Sequence, residues 1–227
     1  MRAERSALSF DALTFDCYGT LVDWLGGVRA ALGRLPSLAG LDLDRLVRER
    51  DAIDRELVLA PYRPYGAILR ESLRRAAELQ DRELAPVDAD AFAASMPCWP
   101  AFEEAPEVLR RLARRYRLAI LSNVESATLR ASVDALGAPI ESCVTAEELR
   151  SYKPARAHFD AALQRLALPK ERVLHAACSL FHDLRPAGEL GWRTAWVNRE
   201  DEPIPPDLAC DFVVPDLASL ELALAPA

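Results

Sequence analysis

The sequence contains no uninterrupted run of the roughly 18 apolar residues that a membrane-spanning helix needs, and its first residues, MRAERSALSF, lack the hydrophobic stretch of a signal peptide. Its five cysteines are scattered and form no Cys-x-x-Cys pair, which argues against a disulfide framework or a zinc site. A formal charge of -7 without a basic cluster argues against nucleic acid as a partner. We therefore expect a soluble, cytoplasmic, globular protein that binds neither nucleic acid nor a membrane.

What the sequence does contain is a regular alternation of short apolar runs and helical patterns. The runs are apolar along their whole length, as expected for parallel strands that are covered on both faces. Strands are predicted at residues 12–15, 118–121, 142–145, 173–177, 194–197 and 212–214, and helices at 105–115, 126–136, 155–166 and 184–190. This alternation predicts an α/β fold with a doubly wound, Rossmann-like parallel sheet.

One interval interrupts the alternation. Between Trp24 and about Met96 the sequence shows only helical periodicity, for example in RLVRERDAIDRELVLA and YGAILRESLRRAAEL, and two prolines in MPCWPAF mark its end. The pattern predicts a helical domain inserted after the first strand. The predicted division is a core domain of residues 1–23 and 99–227 and a helical cap domain of residues 24–98.

Polar side chains follow the predicted strands, and the carboxyl ends of parallel strands share the edge at which open α/β sheets bind ligands. Asp16 ends the first strand and is suited to nucleophilic catalysis, because a carboxylate forms an ester that water can release. Lys153 would hold Asp16 ionised, and Asp183 is suited to orienting that lysine or a water molecule. Gly19 permits a sharp turn and Thr20 supplies a hydroxyl donor. The other polar residues at this edge are Tyr18, Ser122, Asn123, Cys178 and Ser179.

Four segments, in this order, resemble the motifs of the haloacid dehalogenase superfamily. FDCYGTLVD resembles its first motif, LAILSN its second, SYKP its third and HAACSLFHDLRPAGELGW its fourth. The resemblance covers essentially the whole chain, since the helical block sits where that superfamily inserts a mobile cap. It implies a hydrolase of that fold in which Asp16 is the nucleophile and Lys153, Asp183 and Thr20 are further catalytic residues.

Two departures from the phosphatases of that superfamily favour chemistry at carbon. Tyr18 stands where those enzymes carry a second aspartate, and Ala177-Cys178 replaces a Gly-Asp pair that supplies a magnesium ligand. Magnesium prefers oxygen ligands, and a thiol is a poor substitute. The DxYGT pattern is similar to that of the 2-haloacid dehalogenase branch. It implies that the protein needs no metal or cofactor and displaces halide from a small 2-haloalkanoate, fluoroacetate included, through an ester on Asp16.

The same branch implies which residues contact the ligands. The residues predicted to bind the substrate are Tyr18, Cys17, Ser122 and Asn123. A cap arginine is expected in the halide pocket, for which Arg48 is the predicted residue and Arg45, Arg50 and Arg63 are rivals. Contacts to water or halide are expected from His182, Cys178 and Ser179. Leu180 stands where that branch has an asparagine that helps to position the water, so the residue that activates the water stays open.

Three alternatives accompany this interpretation. One is a magnesium-dependent phosphatase of the same superfamily. Another is a hydrolase of a different small carboxylate, such as a strained cyclic amino acid, because SLFHD is similar to a subgroup that contains such an enzyme. The third is a non-enzymatic relative, against which the full set of Asp16, Thr20, Ser122 and Lys153 argues. A homodimer is the assembly that base rates favour.

Overall fold

A computed structural model of the chain describes residues 9–225, which contain a six-stranded, fully parallel sheet. The strands are β1 Ala12–Phe15, β2 Arg117–Ser122, β3 Ser142–Thr145, β4 Val173–Ala177, β5 Arg193–Val197 and β6 Phe212–Val214. Their order across the sheet is β3-β2-β1-β4-β5-β6. The predicted doubly wound sheet is confirmed, and no predicted strand end is displaced by more than one residue.

The strand order places a crevice at the carboxyl edge of the sheet. Successive strands are added on one side of β1 from β2 to β3, and on the other side from β4 to β6. Connections therefore leave in opposite directions from the neighbouring strands β1 and β4, and ligands of doubly wound folds bind at such a reversal. The loops that follow β1 and β4 carry two of the four motif segments described above.

Helices cover both faces of the sheet, so that its strands are buried on both sides. In β1, Leu13 and Phe15 pack into one apolar cluster and Ala12 packs into another on the opposite face. The helices of the core are α5 Ala105–Leu112, α6 Ser126–Leu136, α7 Ala146–Leu149, α8 Ala157–Leu166, α9 Arg185–Glu189 and α10 Leu217–Ala223, and those that precede them in the chain are α1 Trp24–Leu32, α2 Leu43–Val58, α3 Tyr65–Glu78 and α4 Pro86–Ser95. None of the helices within residues 9–225 has the length and apolar character that crossing a bilayer requires.

The ends of three core helices differ from the prediction. Helix α5 ends at Leu112 because the next amides, at residues 114 and 115, bond to carbonyls only three residues back and form a turn. Helix α8 begins two residues late because the amide of Ala155 is bonded to Tyr152 in a turn. The predicted helix at 184–190 is α9 preceded by a π-helical turn, Leu180–Leu184.

Helices α1 to α4 form the inserted cap, and every described residue from 24 to 98 lies in a helix, a turn or a loop. The two linkers that connect cap and core run antiparallel, with the amide of Asp23 donating to Pro100 and that of Phe102 donating to Leu21. Trp99 packs against Gly27, where an added Cβ would lie 2.4 Å from the indole ring. The cap is thus held close to the sheet edge at its hinge, while the boundaries at 23/24 and 98/99 stay predictions.

Candidate active site

Asp16 lies at the carboxyl end of β1, beside the reversal of strand order. Its Oδ1 accepts a hydrogen bond from Lys153 Nζ at 2.8 Å, and its Oδ2 accepts one from the Thr20 hydroxyl at 3.0 Å. Its backbone amide donates to Ala176 of β4 at 3.1 Å, and only 8% of the residue is exposed. A carboxylate that is held at both oxygens on a rigid strand end is preorganised to attack a bound ligand.

The turn after β1 depends on Gly19. This residue has a φ of +92°, which favours glycine, and an added Cβ would lie 2.7 Å from the Sγ atom of Cys178. The backbone amides of residues 20–22 all donate to the carbonyl of Cys17, which closes the turn. The β1 loop therefore packs directly against the β4 loop, as the placement of both motifs at one edge predicts.

Lys153 connects the two buried carboxylates. Its Nζ donates to Asp16 Oδ1 at 2.8 Å and to Asp183 Oδ1 at 2.7 Å, and its third hydrogen bond goes to the Leu121 carbonyl at 2.8 Å. Asn123 fixes the backbone of this lysine, since its Oδ1 accepts from the Lys153 amide at 2.7 Å and its Nδ2 donates to the Lys153 carbonyl at 3.0 Å. The side chain of Asn123, which was predicted to bind substrate, thus holds Lys153 in place.

Asp183 is completely buried and is also bonded to a histidine. Its Oδ1 lies 3.0 Å from His175 Nε2, and the other ring nitrogen of His175 lies 2.9 Å from the Thr14 hydroxyl. Burial acts to raise the pKa of Asp183, but the charge of Lys153 and the hydrogen bond from His175 together hold it well below its ordinary value. Asp183 is therefore ionised and poorly basic. Sequence reasoning missed His175 because it lies inside an apolar strand.

The electrostatics of this cluster place one ammonium between two carboxylates. Burial raises the pKa of Asp16 above its ordinary value, with Lys153 opposing this shift and the charge of Asp183 adding to it. Burial acts to lower the pKa of Lys153, but the two carboxylates raise it above the ordinary value. The lysine consequently stays charged, and its charge offsets the repulsion and the desolvation cost of two buried carboxylates that both contact its Nζ.

Thr20 joins the β1 loop to the β4 loop. Its hydroxyl donates to Asp16 Oδ2 and accepts from the backbone amide of Cys178 at 2.9 Å. Burial and the charge of Asp16 raise the pKa of the Cys178 thiol to about 12. The thiol is therefore protonated at neutral pH, which makes it a poor nucleophile and a poor ligand for a hard cation.

A cavity of about 530 Å³ lies between this edge and the cap, and Asp16, Tyr18, Ser122 and Lys153 line it. The Tyr18 hydroxyl is bonded to Ser132 Oγ at 2.8 Å, which fixes the orientation of the ring. Ser122 is buried, and its Oγ has no hydrogen-bond partner among the described residues. Of the predicted substrate contacts, Ser122 therefore offers an unused donor.

Arg50 is buried in the cap wall of the cavity. Its Nη2 donates to Asp54 Oδ1 at 2.5 Å, and the Tyr65 hydroxyl donates to the same oxygen at 3.1 Å. The Nε and Nη1 atoms of Arg50 have no partner among the described residues, and its guanidinium carbon lies 5.6 Å from the ring centre of Trp24 and 5.7 Å from that of Phe92. A buried guanidinium with two unpaired nitrogens is suited to binding an anion.

Two of the predicted site residues, Arg48 and Cys17, lie outside the lining of the cavity. Arg48 is exposed and lies outside the cavity wall, whereas its rival Arg50 lies in it. Two residues along an α-helix turn by about 200°, so that these arginines occupy opposite faces of α2. Cys17 has no exposed surface and packs in the apolar core behind Asp16, because successive side chains at the strand end point to opposite sides.

His182 and Ser179, for which contacts to water or halide were predicted, lie in the β4 loop and line the cavity. Ser179 precedes the π-helical turn, and its Oγ accepts from the amide of His182 at 3.0 Å. The Nδ1 atom of His182 lies 3.3 Å from the carbonyl of Lys153, and its ring meets Phe181 edge-on. Ser179 thus fixes the turn, and the imidazole is attached to the same backbone that carries the lysine.

Thr20→Val should destabilise the protein, because it keeps the side-chain shape but leaves the Cys178 amide and an Asp16 oxygen without their partner. We expect the free energy of unfolding to fall by about 1–3 kcal/mol, measured by urea denaturation. Thr20→Ser is the matched control: it keeps the hydroxyl and loses one methyl group, which costs about 0.8 kcal/mol. A valine variant as stable as the serine variant would contradict the role of this hydroxyl.

Comparisons with known proteins agree with this geometry. Residues 10–176 match the model of a family described as haloacid dehalogenase-like hydrolase. The (S)-2-haloacid dehalogenase 4A of Burkholderia cepacia is 28% identical over an alignment of 206 residues, with 86% of each chain covered. A dehalogenase solved as an intermediate complex superimposes with a TM-score of 0.85 at 25% identity, covering 96% of this chain and 99% of the other. An L-2-haloacid dehalogenase superimposes with a TM-score of 0.75 at 27% identity, covering 96% of this chain and 100% of the other. The chain therefore belongs to the haloacid dehalogenase-like hydrolase family.

Proposed function

We propose that this protein is a metal-independent 2-haloacid dehalogenase that works through an ester on Asp16. The observation that carries the proposal is the arrangement of two groups on opposite walls of one cavity: the Asp16 carboxylate, held by Lys153 and Thr20, and the guanidinium of Arg50 with two unpaired nitrogens. The first supplies a nucleophile and the second a receptor for a leaving anion. The names of the relatives support the same reaction.

In the first step a carboxylate oxygen of Asp16 attacks C2 of the substrate from the side opposite the halogen. The C–O bond forms as the carbon–halogen bond breaks, and the halogen leaves with the bonding electron pair as halide. Lys153 and Thr20 hold the carboxylate in one orientation, which reduces the entropic cost of reaching the attack geometry. The unpaired hydroxyl of Ser122 is positioned to donate to the carboxylate of the substrate.

Arg50 is proposed to receive the departing halide. Its Nε and Nη1 are free because Asp54 occupies only Nη2, and the rings of Trp24 and Phe92 flank the guanidinium. Hydrogen-bond donors in a buried site stabilise developing negative charge far more strongly than they do in water. The departure of fluoride depends most on such donors, because the carbon–fluorine bond is hard to break. We include fluoroacetate among the proposed substrates.

The magnesium-dependent phosphatase alternative fits these residues poorly. Within residues 9–225 no three histidine, cysteine or acidic side chains are grouped as a metal site. Cys178, at the position of the acidic ligand in phosphatases, carries a thiol whose pKa is raised by burial to about 12, and hard cations prefer oxygen. Asp183 shares its Oδ1 between Lys153 and His175.

Halide release tests the proposal directly. We expect the purified protein to release halide from 2-chloropropionate, bromoacetate or fluoroacetate at a rate that a chelator does not change, measured by ion chromatography. Asp16→Asn should reduce release to background because an amide is a poor nucleophile. Asp11→Asn, which weakens a half-buried ion pair with Arg172 away from the cavity, is the matched control and should behave as the wild type. Magnesium-dependent hydrolysis of a phosphate ester without any halide release would refute the proposal.

A second prediction separates the two cap arginines. Arg50→Met should lower kcat/KM for 2-chloropropionate by about 10²-fold, the effect of removing one preorganised donor for a developing anion. Arg50→Lys keeps the charge but not two adjacent donors, and we expect an intermediate loss. Arg48→Met should leave kcat/KM unchanged, because Arg48 is exposed on the opposite face of α2. Equal effects of the two methionine variants in steady-state kinetics would contradict the assignment.

A further inference from the structure

The ester on Asp16 must be hydrolysed, and a water molecule that attacks it needs a group that accepts a proton. Leu180 lines the cavity in the β4 loop and is apolar, so that it cannot orient a water molecule. The proton acceptor therefore has to be found among the titratable side chains near Asp16. The need for this acceptor rests on the proposed function, since without an ester there is nothing to hydrolyse.

Asp183 is poorly suited to this role. Its Oδ1 is occupied by Lys153 and His175, and its Oδ2 is buried without a partner among the described residues. A carboxylate whose pKa is held well below its ordinary value, here against burial by Lys153 and His175, accepts a proton weakly. Asp183 therefore serves to hold Lys153 charged and in place, and another residue has to accept the proton of the water.

The other two histidines and the cysteine of the β4 loop are also poorly suited. Both ring nitrogens of His175 are bonded, to Asp183 and to Thr14. His158 is buried behind Ser122, and burial lowers its pKa to about 3, which leaves it a very weak base. Cys178 is protonated at neutral pH for the reason given above and carries no free charge to accept a proton.

His182 has the geometry of a base. Its Nδ1 lies 3.3 Å from the carbonyl oxygen of Lys153, which can only accept a hydrogen bond, so this contact requires hydrogen on Nδ1. The competing contact, from the amide nitrogen of Asn123, is longer at 3.5 Å, and that nitrogen already donates to the same carbonyl. With hydrogen on Nδ1, the neutral imidazole has its lone pair on Nε2.

The rest of the loop places the His182 side chain at the wall of the cavity that Asp16 also lines. The Ser179 hydroxyl accepts from the His182 amide, and the π-helical turn sends Asp183 to the lysine while His182 lines the cavity. Asp54 lines the facing cap wall, where burial raises its pKa and the charge of Arg50 acts to lower it. His182 therefore borders the space between the nucleophile and the cap.

We propose that Nε2 of His182 is the general base that hydrolyses the Asp16 ester. The oxygen of water bonds to Cγ of Asp16 while Nε2 takes one of its protons, giving a tetrahedral intermediate whose oxyanion faces Lys153 Nζ. The intermediate expels the alkoxide of the 2-hydroxy acid, which takes the proton back from Nε2. The regenerated carboxyl group loses its proton to solvent, so that each turnover consumes one water and releases one halide and one proton.

The sharpest test is to trap the ester. His182→Asn keeps a nitrogen near the position of Nδ1, and with it the contact to the Lys153 carbonyl, but it has no base at the position of Nε2. His182→Gln is a second variant, which places an amide nitrogen without a basic lone pair near the position of Nε2. We expect both to release about one equivalent of halide from 2-chloropropionate in a burst, followed by turnover slowed about 10²–10⁴-fold. Rapid quench and peptide mass spectrometry should find the acid esterified to Asp16 in most of the enzyme.

Three results would overturn the proposal. Wild-type turnover without ester accumulation in both variants would show that neither step needs His182. Loss of the burst itself would place His182 in the first step, provided that the variants have the same midpoint of urea denaturation as the wild type. Accumulation of the ester in Asp54→Asn, with normal turnover of His182→Asn, would assign the base to the cap. Absence of halide release by the wild type would instead refute the proposed function, and the inference with it.

Discussion

The site depends on the interaction of the Lys153 ammonium group with the carboxylates of Asp16 and Asp183. The ammonium group is buried and uses its three hydrogens on two carboxylates and a backbone carbonyl. Removing one member of such a cluster would leave an unpaired buried charge, which costs about 3–5 kcal/mol. The surrounding structure accordingly fixes each member: Asn123 clamps the lysine backbone, Thr20 holds Asp16, and His175 holds the second carboxylate.

The same cluster suits the two steps of the proposed reaction. Before attack, one lysine balances two carboxylates, and Asp16 carries the excess negative charge toward the cavity. Ester formation neutralises Asp16 and leaves Lys153 paired with Asp183 alone, so that the ammonium can stabilise the oxyanion of the following hydrolysis. In the proposed reaction the cap contributes Arg50 to the first step only, while the β4 loop contributes His182 to the second. The two halves of the reaction are thus assigned to different walls of one cavity.

Much of this arrangement could be predicted from the sequence. The strands were predictable because parallel strands buried on both faces are apolar along their length, and strand ends at one edge bring Asp16, Ser122, Lys153 and Asp183 together. The sequence could not separate the exposed Arg48 from Arg50, which lines the cavity, because helical periodicity defines two faces without saying which one meets the core. His175 was missed because the partner that makes it part of the cluster, Asp183, is brought to it by a π-helical turn that no sequence pattern indicated.

The central claim is that the oxygen that reaches the product comes from Asp16 and not directly from water. A single turnover of the wild-type enzyme in excess over 2-chloropropionate in ¹⁸O-water, followed by mass spectrometry of the product and of the peptide that contains Asp16, tests this claim most directly. The account predicts unlabelled 2-hydroxy acid and one heavy oxygen in the Asp16 peptide. Labelled product together with an unlabelled Asp16 peptide would contradict it.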